Sequence, residues 1–130
     1  MHLVKWQGSA AICMNAENRL LMVLQGTKEE EKTWAVPSGG KEAMENFQSC
    51  CIREVYEETG YTVTIIKEIY RKNNADVEVL YFEAVVMGGQ MTIHDPDELI
   101  YDIVWQSKDD VARLPLTFPE DRPFLLSLFP

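Results

Sequence analysis

The chain has 130 residues, 46% hydrophobic and 25% charged, the profile of a soluble globular domain rather than a disordered chain. Its net charge of −9, from 21 acidic against 12 basic residues, excludes the clustered cationic surface that a nucleic-acid polymer requires. No apolar run reaches the roughly 20 residues of a bilayer span, and Met1–Trp6 lacks the apolar core of a secretory leader, so the expectation is a cytoplasmic protein with no membrane partner.

Ser9–Asn15 reads as a strand ending in a turn, and Arg19–Gln25 as a second strand stopped by Gly26. The two pair as a hairpin in this reading, and their uniformly apolar character places them in a sheet covered on both faces. Thr27–Lys32 is a charge run of the kind that forms a solvated loop. Trp34-Ala35-Val36 leads into Pro37-Ser38-Gly39-Gly40, where proline fixes φ and two glycines allow positive φ and close approach to the main chain. Asn46 reads as an N-cap, Phe47–Thr59 as a helix free of Pro and Gly, and Gly60 as its stop.

Two β-rich runs follow, Thr62–Tyr70 and Val77–Met87, joined by the turn-like Arg71–Asp76 into a hairpin. Asp95-Pro96-Asp97-Glu98 is an acidic loop and Ile100–Gln106 a last strand. Ser107–Asp110 then caps a short helix over Val111–Leu114, and Pro123 begins a C-terminal helix over Phe124–Phe129. No repeat interrupts this order, so residues 1–130 read as one mixed α/β domain. Cys13, Cys50 and Cys51 lack a metal-ligand or disulfide spacing and read as reduced thiols; neither His2 nor His94 is tied to them by a pattern.

The chemistry-bearing stretch is Gly39–Tyr61. At about 100° per residue, Glu54, Glu57 and Glu58 share one sector of the helix, while Ile52, Val55, Tyr56 and Thr59 fall on the opposite, packing side. Like charges at these spacings oppose helix formation by a few tenths of a kcal/mol per pair. A hard divalent cation with oxygen ligands would offset that, and the lack of a Cys or His cluster speaks against zinc. On spacing alone the same cluster reads as a solvated face; Glu45, Arg53 and the glycine turn set it apart.

Gly39, five residues, Glu45, seven residues, and then Arg53-Glu54-Val55-Tyr56-Glu57-Glu58-Thr59-Gly60-Tyr61 resembles the signature of the Nudix hydrolases. Only the final position departs from the pattern, Tyr61 standing where an aliphatic residue is usual. The lead-in Trp34–Pro37 and the placement of Glu98 seven residues before Trp105 are similar to the family as well. Pro37-Ser38-Gly39 replaces its usual Pro-Gly-Gly.

The resemblance implies an α/β/α sandwich with a mixed sheet, a loop-helix-loop catalytic motif, and hydrolysis of a nucleoside diphosphate linked to another moiety. By position, it implies that Glu54, Glu57 and Glu58 hold Mg²⁺ or Mn²⁺ with the main-chain carbonyl of Ser38. Arg53 and Glu45 would brace the loop and orient Glu54. Glu54 is the first candidate for general base and Glu98 the second, with Glu98 a further metal ligand or simply solvated as the alternatives.

A small nucleotide is the implied substrate, an ordinary or oxidised nucleoside triphosphate first and an ADP-ribose-like dinucleotide or nucleotide sugar second. Asp76 stands where the ADP-ribose group carries a proline past the box. A non-catalytic nucleotide sensor is the reading from another class, set against the retention of Glu45, Glu54, Glu57 and Glu58. Homodimers are common in the family, and a homodimer is compatible with this chain. Trp6, Trp34, Tyr70, Tyr81, Phe82 and Trp105 are candidates to stack on a base, though aromatic residues in strands more often serve the core.

Overall fold

The computed structural model describes residues 5–130, which leaves His2 and the start of the chain outside the described residues. Strands β1 (Trp6–Ile12), β4 (Ser38–Gly40), β5 (Tyr61–Asn73) and β6 (Val77–Gly89) form one sheet in the order β4-β1-β6-β5. The β1–β6 pair is parallel and the other pairs are antiparallel, so the sheet is mixed. Strands β2 (Leu20–Gln25), β3 (Thr33–Ala35) and β7 (Ile100–Gln106) form a second, antiparallel sheet ordered β3-β2-β7.

The apolar runs are covered on both faces as their composition requires. Because side chains alternate along a strand, Ala11, Cys13, Leu21 and Val23 enter one core with Cys51 and Val55 of helix α1 (Phe47–Thr59). Ala10, Ile12, Leu20 and Met22 enter the other. There they meet Val111 of helix α2 (Lys108–Arg113) and Leu125 of helix α3 (Arg122–Ser127). The result is an α/β/α arrangement with α1 on one side and α2 and α3 on the other.

The expected hairpin of the first two strands is only a corner. Asn15 N–H donates to Arg19 O at 3.0 Å and Leu21 N–H to Cys13 O at 3.0 Å, and the strands then part into different sheets. Both edges of β1 are already paired, with β4 and β6, while β2 pairs with β3 and β7. The second hairpin, β5 with β6, forms as expected, with strands longer than the sequence runs and three register irregularities.

Helix α1 keeps its expected limits because both ends are chemically specified. The Asn46 side chain accepts from Ser49 N–H at 2.7 Å, and Gly60 adopts φ 80° while its N–H donates to Tyr56 O. A cap of the Asn46 kind contributes about 1 kcal/mol. The buried face differs from the one helical spacing suggested. Ile52 and Tyr56 are exposed, whereas Cys50, Cys51, Val55, Glu58 and Thr59 are buried. Glu58 thus lies on the packing side, where the Ser38 N–H of β4 donates to its Oε1 at 3.1 Å.

The Ser38-Gly39-Gly40 segment is also a correction. It is a strand paired with β1, and Gly39 and Gly40 are not among the positive-φ glycines. Gly39 is needed for close approach instead: a Cβ there would lie 2.2 Å from Cδ of Glu54.

Candidate active site

The site is assembled where α1 crosses the β4 strand, and Arg53 organises it. Its Nε and Nη2 donate to the two carboxylate oxygens of Glu45 at 2.6 and 3.0 Å. Nη1 donates to Glu54 Oε1 at 2.8 Å and to Glu57 Oε2 at 3.2 Å, and Nη2 also donates to Gly40 O at 2.9 Å. Only the planar guanidinium fork can reach these acceptors at once. Glu45 in turn accepts from Glu42 N–H at 2.8 Å, which pins the loop before the helix. The Arg53 hydrogen bonds hold the Glu45 carboxyl below the usual carboxylate range.

Glu54 and Glu58 are strained in the opposite direction. Burial pushes the Glu54 carboxyl up to about 7, against the pull of Arg53 and with a smaller contribution from the charge of Glu57. Burial also drives Glu58 well above the ordinary glutamate value; the charge of Glu54 adds to this, the Ser38 N–H opposes it, and Asp95 adds a further rise. Two half-desolvated carboxylates side by side cannot both ionise without compensation.

Among the described residues no group of three or more His, Cys, Asp or Glu side chains converges as ion ligands would. Arg53 Nη1 holds two of the candidate carboxylates by direct hydrogen bonds. The donor chemistry still fits a hard divalent cation, since the set is all oxygen and the ionised forms of Glu54 and Glu58 lack a neutralising charge.

The loop acid that acts on this centre is Asp95, which sequence reading passed over in favour of Glu98. The Asp95 carboxylate accepts from the N–H groups of Asp97, Leu99 and Ile100, so it shapes the turn as well as bearing on Glu58. Glu98 is exposed, with φ 56°. The loop is tied to the helix C-terminus by His94 N–H donating to Glu57 O at 2.7 Å and Thr92 N–H to Thr59 O at 2.8 Å. The His94 ring stacks on Tyr56 with centroids 4.8 Å apart. The three cysteines are buried and burial raises their thiols, Cys13 up to about 12, which removes them as nucleophiles.

A cavity of about 470 Å³ adjoins the site at Ser38, walled by Trp6, Tyr81 and Phe118 with Lys72 and Glu120. Of these aromatic residues, Trp6 and Tyr81 were sequence candidates, while Phe118 and Glu120 were not. Trp105 instead packs into the α1-side core with Tyr61, and Trp34 into the other.

A glutamate-bearing helix laid over a glycine strand and braced by one arginine defines an acidic centre of the kind that handles phosphates. The family profile of the NUDIX domain matches residues 5–128, and the chain belongs to the NUDIX family. A Bacillus subtilis (strain 168) protein with the provisional name 8-oxo-dGTP diphosphatase is 28% identical over 86 residues, 65% of this chain and 56% of that one. The chain therefore aligns with little more than half the length of that relative. An ADP-ribose pyrophosphatase from Streptococcus suis 89-1591 superposes with TM-score 0.76 at 20% identity, over 96% of this chain and 89% of that one. A structure from a study of MutT from Aliivibrio salmonicida and Vibrio cholerae gives TM-score 0.76 at 19% identity, over 97% and 100%. These structural likenesses establish the fold. Among the described residues no helix is long and apolar enough to cross a membrane.

Proposed function

We propose that this protein hydrolyses a pyrophosphate bond in a nucleoside diphosphate linked to another moiety, with a nucleoside triphosphate as substrate and a monophosphate and pyrophosphate as products. The carrying observation is the pair Glu54 and Glu58, buried beside Gly39 with raised affinities for protons and braced through Arg53. The provisional name of the Bacillus subtilis relative supports a triphosphate over a dinucleotide.

Glu54, Glu57 and Glu58, with the Ser38 carbonyl, would hold Mg²⁺ or Mn²⁺. Bound there, such a cation neutralises diphosphate charge, polarises the attacked phosphorus and acidifies a water. Glu54 is the general base in this reading: a carboxyl at about 7 is matched to taking a proton near neutral pH. Arg53 fixes its orientation and Glu45 fixes Arg53, so the base need not be ordered at the moment of reaction. Glu98 is retained as the second candidate, and the exposed Asp95–Glu98 turn would have to carry it inward.

The test is a panel of nucleoside triphosphates and nucleotide sugars with Mg²⁺ or Mn²⁺, scoring phosphate and pyrophosphate separately. Metal-dependent pyrophosphate release, abolished in Glu58→Gln, is expected. Absence of turnover across the panel, or an unimpaired Glu58→Gln, refutes the reading and leaves a nucleotide-binding sensor.

A further inference from the structure

We infer that the cavity beside Ser38 is a guanine-selective base site, with Phe118 and Trp6 as its walls and the Lys72–Glu120 pair reading the base edge. This rests on the hydrolytic reading, because it assigns the base of the same substrate. A volume of about 470 Å³ lies within the range of small-molecule sites and accommodates a purine nucleoside. Its contact with Ser38 aims anything bound there at the glycine strand and Glu54.

The aromatic walls are built in rather than incidental. Trp6 is 51% exposed, an unusual state for an indole. It lies across two glycines: a Cβ at Gly8 would come within 2.6 Å of its ring and one at Gly40 within 3.3 Å. Phe118 is likewise 40% exposed, and the Lys72 ammonium sits 4.5 Å from its ring centroid. Exposed aromatic faces at a cavity mouth provide stacking surface for a base.

The charged pair supplies the selectivity. Lys72 Nζ is 2.7 Å from Asp121 Oδ1 and donates to Glu120 Oε2 at 3.0 Å. Asp121 is buried and fixed by the Tyr81 hydroxyl at 2.5 Å, so the ammonium is anchored at the cavity wall. An ammonium has three hydrogens, which leaves one for a ligand, with the Glu120 carboxylate beside it.

Guanine presents an acceptor, O6, followed by two donors, N1–H and N2–H. Lys72 on O6 and Glu120 across N1–H and N2–H match all three. Adenine and cytosine would set an unprotonated ring nitrogen against the carboxylate, and uracil or thymine a carbonyl. Each mismatch leaves a charged group poorly paired.

The experiment is calorimetric titration of the metal-free full chain with GMP, IMP and AMP, repeated on Glu120→Gln and Phe118→Ala. GMP should bind about 10-fold to 100-fold tighter than AMP, the discrimination of one bidentate contact, with IMP between them because it lacks N2. Glu120→Gln should bring GMP close to AMP at unchanged Tm, and Phe118→Ala should weaken all three alike. Equal affinities, a preference that survives Glu120→Gln, or no GMP binding overturns the assignment. Loss of the hydrolytic reading looks different: the titrations keep their preference while no nucleotide is turned over with Mg²⁺ or Mn²⁺.

Discussion

Gly39→Ala isolates what the close approach of strand and helix contributes. The residue is in extended backbone, so an added methyl meets no φ penalty. It does meet the Glu54 carboxylate, with Cδ at 2.2 Å and both oxygens at 2.4 Å, where ordinary contact begins at 3.4 Å. The carboxylate must withdraw by about 1 Å, and it then loses its 2.8 Å bond from Arg53 Nη1. A 1 Å displacement of a reacting group costs about 100-fold in rate. The obstacle is the end of a side chain that can rotate, so the stability cost belongs at the low end of overpacking, about 1 kcal/mol, or a few degrees in Tm. Steady-state kinetics and thermal melting of the variant read both numbers. Full activity would show that Glu54 is not held in a working position by this contact. Global unfolding would show that the glycine serves the fold instead.

Arg53→Lys keeps the charge but loses the fork that spans Glu45, Glu54, Glu57 and Gly40. It should lower kcat at least tenfold and stability by about 2 kcal/mol, measured by kinetics and denaturant melts; a lysine variant with wild-type kcat refutes the bracing role. The metal-free protein should lose stability as pH rises from 5 to 7.5. The folded-state values of Glu54 and Glu58 lie above the ordinary 4.5, so their contribution is whole below 4.5 and is lost as pH rises through about 7 for Glu54. Melting across this range should show a falling Tm, a smaller fall in Glu58→Gln and a larger gain from added Mg²⁺ at pH 7.5 than at 5.5; a flat profile sinks the electrostatic account. Tyr81→Phe removes the hydroxyl that donates to buried Asp121, and should cost about 1–3 kcal/mol in a denaturant melt, refuted by an unchanged midpoint.

What could be read from sequence divides along a physical line. Local chemistry was legible: Asn46 and Gly60 specify the ends of α1 through their own side chain and backbone, and the structure adopts those limits. Pairing that depends on competition between distant strands was not. Nothing in Ser9–Asn15 reveals that β4 and β6 will take both its edges and send β2 to another sheet. The same holds on α1, where the spacing grouped Glu54, Glu57 and Glu58 but could not say which way the core lay. Hydropathy pointed at Ile52 and Tyr56; the small side chains Cys51 and Thr59 are buried instead, and Glu58 with them.

That burial is why the box residues are unequal despite their shared motif. Glu57 sits at the solvent end of the Arg53 fork, Glu54 is half sunk against Gly39, and Glu58 is enclosed on Ser38 N–H. Three identical side chains therefore meet three different dielectric settings, and the backbone of a strand outside the helix sets the difference. Ser38 stands at the junction. Its N–H holds the most buried acid, and its other side borders the cavity bearing Lys72 and Glu120. Those two residues lie far from the box in the chain and carry no motif of their own. They became candidates only because β5 and the turn before α3 deliver them to the same wall, so any selectivity for the base is a property of the fold's closure rather than of the signature.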